Sequence, residues 1–414
     1  MRLWMSAVAI SLGWAPFLPV GSKYLAYLGS GAAAWLWLHR AQAWRGLLAE
    51  APMRAALALV VLTALSWTWS SGPPAFGAVQ LGLYGLLLLS PVIAHAFAPD
   101  LALRALHHFG IAAALVGLLS GLDHVGWLPA SLLWSSSVQA EGNQRIVNSL
   151  MLALGAALCL VHAMAPTQAA DSRSPAVAGA ASGEGLCARQ RKRVFWVLAA
   201  AAAITGLSLQ DRRTGMVALP VMLAVLALAS QRQPGRRLAL LVTVLALSLA
   251  AWQFSPGVRA RIDEGLREVK TYQSTDRADT SWGMRLRLAE HSADMWRSAP
   301  LLGHGVGSWM AEFRQRVQPG LLISVHTTPH NEYLLVAAQL GSVGVLLLIG
   351  LLACNLHRAW RSGRAGLALL VVWTAIAWSG WFNVVLRDSK FALPLLLLAG
   401  LAGAVARAQP SAKA

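Results

Sequence analysis

The feature that most constrains this chain is a series of apolar segments, each roughly 17–22 residues long, that recurs along nearly its whole length. A helix of that length crosses about 30 Å of hydrocarbon. Twelve such spans can be drawn, at about 3–20, 24–38, 55–71, 77–97, 104–122, 147–165, 194–209, 214–230, 238–254, 330–357, 365–384 and 390–406. Lipid cannot hydrogen-bond a backbone, so each span has to satisfy its own amides, and the helix does so within one segment. The expected fold is therefore an all-α polytopic integral membrane protein with about twelve transmembrane helices. At 57% hydrophobic and 12% charged, the chain is excluded from the ordinary water-soluble and disordered classes. The first apolar stretch holds Trp4 and Trp14 and is followed at once by another, which favours an uncleaved helix over a signal peptide.

Charge supplies the orientation. Lys and Arg number 34 against 17 Asp and Glu, giving +17. In a soluble domain that balance suggests nucleic acid, but in a polytopic protein basic residues gather on cytoplasmic segments whatever its function, so no nucleic-acid partner is expected. With both termini cytoplasmic, 18 of the 34 fall on inner segments, 6 on short outer ones and 10 in one long outer loop. Trp35, Trp37, Trp67, Trp69, Trp252, Trp378 and Trp381 lie near span ends and read as interfacial anchors. The three cysteines, Cys159, Cys187 and Cys354, form neither a disulfide framework nor a metal-ligand spacing.

Two polar stretches interrupt the spans. The inner one, about 166–193, reads as a flexible linker ending in the basic run Arg189 to Arg193. The outer one, about 255–329, alternates charged and apolar residues at helical spacing over Val258 to Tyr272 and at Met284, Leu288, His291 and Met295. It predicts two amphipathic helices lying against the membrane. The chain thus divides into spans one to nine (1–254), the outer helical loop (255–329) and spans ten to twelve (330–414).

Ionisable groups beside spans are the functional candidates. Asp211-Arg212-Arg213-Thr214-Gly215 puts two guanidinium groups at the outer mouth of the bundle, against the positive-inside bias. Either one snorkels while the other pairs with Asp211, or the two grip an anion such as a pyrophosphate, which suits their forked geometry. In His326-Thr327-Thr328-Pro329-His330-Asn331-Glu332-Tyr333, Pro329 suits the first helical position, with Thr328 as N-cap and His330 opening the helix. H-E-x-x-H is absent, so no metal site is expected. A histidine at a helix N-terminus stays neutral near pH 7 and can act as a general base; the competing reading is a capping or packing histidine. Arg285 and Arg287 open the second amphipathic helix, facing either headgroups or an anionic ligand. No D-x-D and no G-x-x-x-x-G-K-[ST] occurs, and the first outer loop, Gly21-Ser22-Lys23, offers no acidic base.

Three motifs together resemble a known family. Pro300-Leu301-Leu302-Gly303-His304-Gly305-Val306-Gly307, Pro329-His330-Asn331-Glu332-Tyr333-Leu334 and Gln339-Leu340-Gly341-Ser342-Val343-Gly344 resemble the shared signature of bacterial O-antigen ligases and O-antigen polymerases. Arg213-Thr214-Gly215 is similar to the family's Arg-Gly/Ala pattern, and Ser281 to Leu286 to its outer-loop arginine. Arg212 stands where members often carry Ser or Thr. The resemblance is strongest over 211–345 and implies one large periplasmic helical loop. It implies a metal-independent, cofactor-free, inverting ligase of the bacterial inner membrane with its active site on the periplasmic face. O-antigen polysaccharide would pass from undecaprenyl pyrophosphate to lipid A-core, completing lipopolysaccharide. His330 would be the base and Arg213 and Arg285 would hold the donor pyrophosphate, with Arg212 and Arg145 as further candidates. An O-antigen polymerase or protein-O-oligosaccharyltransferase would share this donor chemistry. A lipid or glycan transporter, the alternative of another class, calls for midplane charges and repeated halves.

Overall fold

The computed structural model describes residues 2–39, 43–131, 134–164, 182–210, 212–276, 278–317 and 326–408. These residues form helices and no strand. The first half contains α1 (Arg2–Trp14), α2 (Val20–Leu38), α3 (Ala43–Ala49), α4 (Ala51–Ser66), α5 (Pro74–Gly85), α6 (Leu89–Ala96), α7 (Pro99–His124), α8 (Gly142–Met164) and α9 (Ser182–Leu209). The second contains α10 (Arg213–Ser230), α11 (Pro234–Phe254), α12 (Pro256–Thr275), α13 (Ser281–Ser298), α14 (Trp309–Arg316), α15 (Glu332–Arg361), α16 (Leu367–Ser379) and α17 (Ser389–Arg407).

Nine stretches among the described residues are long and apolar enough to cross a membrane, the longest being Glu332–Arg361. They coincide with nine of the twelve expected spans. Of the other three, two fall on shorter apolar helices, Leu3–Phe17 and Gly363–Ser379. The third is α2, whose composition is diluted by Gly21, Ser22, Lys23 and Ser30. Burial sorts the bundle into centre and rim. The apolar windows of α8 and α17 are 83% and 78% buried, whereas that of α11 is 0% buried, so α11 presents its apolar surface outward.

Both polar stretches differ from expectation. Most of the inner linker, 165–181, lies outside the described residues, but 182–193 continue α9 as helix rather than flexible linker. The Arg and Lys residues there are good helix formers and no proline interrupts them. In the outer stretch α12 and α13 form as the spacing predicts, each with a side-chain cap: Ser255 Oγ accepts from Val258 N–H and Thr280 Oγ1 from Gly283 N–H. A third helix, α14, accompanies them. The apolar stripe of α13, Leu288 and Met295, packs on Trp309 and Phe313 of α14 and Leu335 of α15. The stripe thus covers protein rather than membrane.

A break in α15 fastens this stretch to the bundle. Gly341 has φ +63° inside the helix, a conformation that costs an L-residue about 1–2 kcal/mol. The break frees backbone groups that the segment 300–305 takes up. Ala338 and Gln339 carbonyls accept from His304 N–H (3.0 Å) and Gly305 N–H (2.8 Å), while Ser342 and Val343 N–H donate to Pro300 O (2.8 Å) and Leu301 O (3.2 Å). Two of the sequence motifs are therefore the two sides of one joint. A Cβ at Gly341 would lie 2.2 Å from Leu301 O. Gly341→Ala is expected to destabilise the fold by about 2–4 kcal/mol, read as a lowered melting temperature of the purified protein, because strain and overpacking add. Wild-type stability in that variant would refute the joint.

At the opposite end of α15 and α17, Glu50 gathers Arg358 (2.6 Å), Arg407 (3.7 Å) and His95 (3.1 Å), pinning the start of α4 to the far ends of those two helices.

Candidate active site

The end of the bundle that carries α12 to α14 also carries the candidate residues. His330 does not open α15 as expected from Pro329. The helix begins at Glu332 and its cap is Asn331, whose Oδ1 accepts from Leu334 N–H at 3.0 Å. Asparagine caps at least as well as threonine, and using it leaves His330 just outside the helix. His330 adopts φ +52°, in the left-handed region, where a non-glycine residue is strained by about 1–3 kcal/mol. Neighbouring bonds hold it: Thr328 Oγ1 accepts from His330 N–H at 3.5 Å, and Glu332 N–H donates to Gly380 O at 2.7 Å. The imidazole lies edge-on to His326, ring centroids 5.4 Å apart. Burial, then the Arg285 charge, then His326 lower its pKa to about 4. The ring is neutral at pH 7 and has a free site for a proton. No group of three His, Cys, Asp or Glu suited to a metal occurs among the described residues.

Arg285, one turn into α13, donates from Nη1 to Ser281 Oγ at 3.4 Å and lies 5.8 Å above the Trp282 ring. Among the described residues it has no carboxylate partner. Burial and the Arg213 charge push its pKa down, and the Glu268 charge opposes them only in part. Arg287 is different: it pairs with Asp276, Tyr272 Oη (3.0 Å) and Glu290 (3.6 Å). Of the two arginines opening this helix, only Arg285 is left for a ligand.

Arg213, the first residue of α10, is near Arg285 but already engaged. Its guanidinium reaches Glu264 at 2.8 Å and Glu268 at 3.5 Å, and Glu268 Oε2 also accepts from Trp282 N–H at 2.9 Å. Two α12 carboxylates thereby tie the start of α10 to the start of α13. Arg212 occupies the N-cap position of α10, with a buried Nε that lacks a hydrogen-bond partner. Asp211, its possible partner, lies outside the described residues. Arg145 donates from Nε to Ala140 O at 2.7 Å. Arg145, Arg212 and Arg213 do not line the cavities around His330.

Two cavities meet at His330. One, about 350 Å³, is aromatic, with Trp282, Arg285, Trp378, Trp381 and Phe382 on its walls. Trp378 and Trp381, expected only as interfacial anchors, also border an apolar groove of about 470 Å³ with Val221, Val225, Leu356 and Trp360. They join cavity to groove. The other cavity, about 450 Å³, is polar: Asn143, His326, Asn383, Arg387 and Asp388 face it. His330 is the one residue common to both. Sequence reasoning missed the aromatic wall and Arg387. The signal was there: the expected topology puts Arg387 on an outer segment, against the positive-inside bias.

Residues 198–349 match the family model described as O-Antigen ligase. Over this segment the chain is similar to the O-antigen ligase family. The matched stretch contains Arg212, Arg213, Arg285, His330 and the Gly341 joint, and leaves Arg145 and Arg387 outside. No curated protein matches the chain. The resemblance read from the motifs is thus borne out over this segment.

Proposed function

We propose that the protein is an O-antigen ligase that moves a polysaccharide from undecaprenyl pyrophosphate to lipid A-core by metal-independent, inverting transfer. The observation that carries this reading is the position of His330, alone on the boundary between an aromatic cavity holding Arg285 and a polar cavity. A transferase joining two large substrates needs such a base between two binding spaces. The donor diphosphate lies at Arg285, with Arg213 beside it, and the polyprenyl tail follows the apolar groove past Trp378 and Trp381. Arg212 and Arg145 stay candidates for outer contacts with the donor.

In the transfer, an acceptor hydroxyl oxygen attacks the anomeric carbon, and the bond from that carbon to the phosphate oxygen breaks. The electron pair leaves with undecaprenyl pyrophosphate. His330 Nδ1 or Nε2 takes the hydroxyl proton and later releases it to solvent. Arg285 stabilises the charge growing on the diphosphate. One displacement inverts the anomeric centre. The lipid pyrophosphate is already an activated leaving group, so no nucleotide or other cofactor is required. This reading puts 255–329 and the His330 site on the periplasmic side of the inner membrane, with the spans of 1–254 and 330–414 in it and both termini cytoplasmic, as the 18-to-6 distribution of basic residues favours.

The test mixes purified protein with lipid-linked glycan and lipid A-core, with and without a chelator. Glycan joined to lipid A-core at a rate that the chelator leaves unchanged is the expected result. Elongation of the carrier-linked glycan instead identifies a polymerase. Movement of the donor across a vesicle bilayer without bond formation identifies a transporter.

A further inference from the structure

The polar cavity holds a cation that the transfer step does not use. Arg387 is 9% exposed, and among the described residues its guanidinium forms no ion pair within 4.0 Å. Nη1 is shut off from solvent and has no hydrogen-bond partner. The charged and phenolic groups that act on it electrostatically are Tyr84, Glu332 and Asp388. Neither carboxylate comes within 4.0 Å of its guanidinium: Glu332 Oε2 accepts from Leu386 N–H at 2.9 Å, and Asp388 Oδ1 from Lys390 N–H at 2.9 Å. Leaving a buried guanidinium's donors unused is costly, and a forked cation of this kind pairs best with a phosphate or a carboxylate.

We propose, resting on the ligase reading, that this cavity receives the acceptor glycan and that Arg387 binds an anionic group, phosphate or carboxylate, carried by the acceptor beside the attacking hydroxyl. Arg285 and Arg387 then serve different substrates on the two sides of His330. Asn143 and Asp388, which line this cavity with Arg387, offer partners for sugar hydroxyls. An acceptor held this way is selected by its charge as well as by its sugar.

The experiment uses the full-length protein, lipid-linked glycan donor and two acceptors: lipid A-core as isolated, and the same material after hydrogen fluoride removal of phosphates and amidation of carboxylates. Wild-type kcat/KM for the acceptor is expected to fall at least about tenfold on the stripped material, with donor KM unchanged. Arg387→Gln should show the same loss on intact acceptor and little further loss on stripped acceptor, and Arg387→Lys should recover part of it. Equal wild-type use of both acceptors overturns the assignment alone. So does an Arg387→Gln defect of the same size on both acceptors, which would mark a structural role. If Arg387→Gln fails to fold, the wild-type comparison decides. Absence of transfer to either form of lipid A-core overturns the ligase reading and this assignment with it.

Discussion

Replacing His330 with alanine is expected to lower turnover by about 10²–10⁴-fold while leaving donor KM close to wild type, because a general base acts in the transition state and not in donor binding. The left-handed backbone at this position makes His330→Asn the better control, since asparagine tolerates that conformation and removes the imidazole. The pH profile provides a second readout. The ring is neutral above its pKa of about 4 and protonated below it, so kcat/KM should decline as pH falls through that value. Arg285 is one of the charges that depress this pKa. A bound diphosphate offsets that charge, so the acidic limb of kcat should lie at higher pH than that of kcat/KM. Arg285→Ala should move the free-enzyme limb upward for the same reason. An active His330→Asn, or a profile without an acidic limb, would remove His330 from the mechanism.

Arg285→Ala is expected to cost about 10²–10³-fold in transfer, the scale found when one preorganised donor to a developing anion is removed. Arg213→Ala should cost less in turnover and more in stability. Among the described residues Arg285 has only Ser281 and the Trp282 ring as partners, whereas Arg213 spends its guanidinium on Glu264 and Glu268. Removing Arg213 also takes the cation from Glu268, leaves Glu264 with Arg261 alone and loosens the contact between α10 and α12. Parallel measurements of rate and melting temperature on both variants check this ordering, and a larger rate loss for Arg213→Ala would reverse it. Lysine should rescue Arg285 only in part, because a point charge does not reproduce two parallel N–H bonds.

The membrane bundle and the outer helices were legible because both depend on periodicity, which a linear sequence displays directly. The capping side chains of Ser255 and Thr280, not singled out in the sequence, mark where α12 and α13 start. Reading α15 was harder, since Thr328, Pro329 and Asn331 each offer a plausible start and only the packing of Glu332 N–H on Gly380 O chooses among them. That choice places His330 outside the helix and sets its backbone angle. Pairing was hidden altogether. Nothing in the sequence says that Arg213 is claimed by Glu264 and Glu268 while Arg285 is not, because both carboxylates lie more than fifty residues from Arg213 in the chain. Trp378 and Trp381 looked like anchors because a ring at a span end looks the same whether it faces headgroups or a cavity. Arg387 was visible only as an exception to a topology rule.

The joint at Gly341 bears on how such proteins can be recombined. Segment 300–305 supplies hydrogen bonds that α15 lacks, and α15 supplies carbonyls and amides that the segment would otherwise leave bare. Neither half is a separable cassette. A chimera that imports the helices bearing Arg285 from a relative should fold only if residues 338–343 travel with them, because the graft boundary has to enclose both halves of the splice.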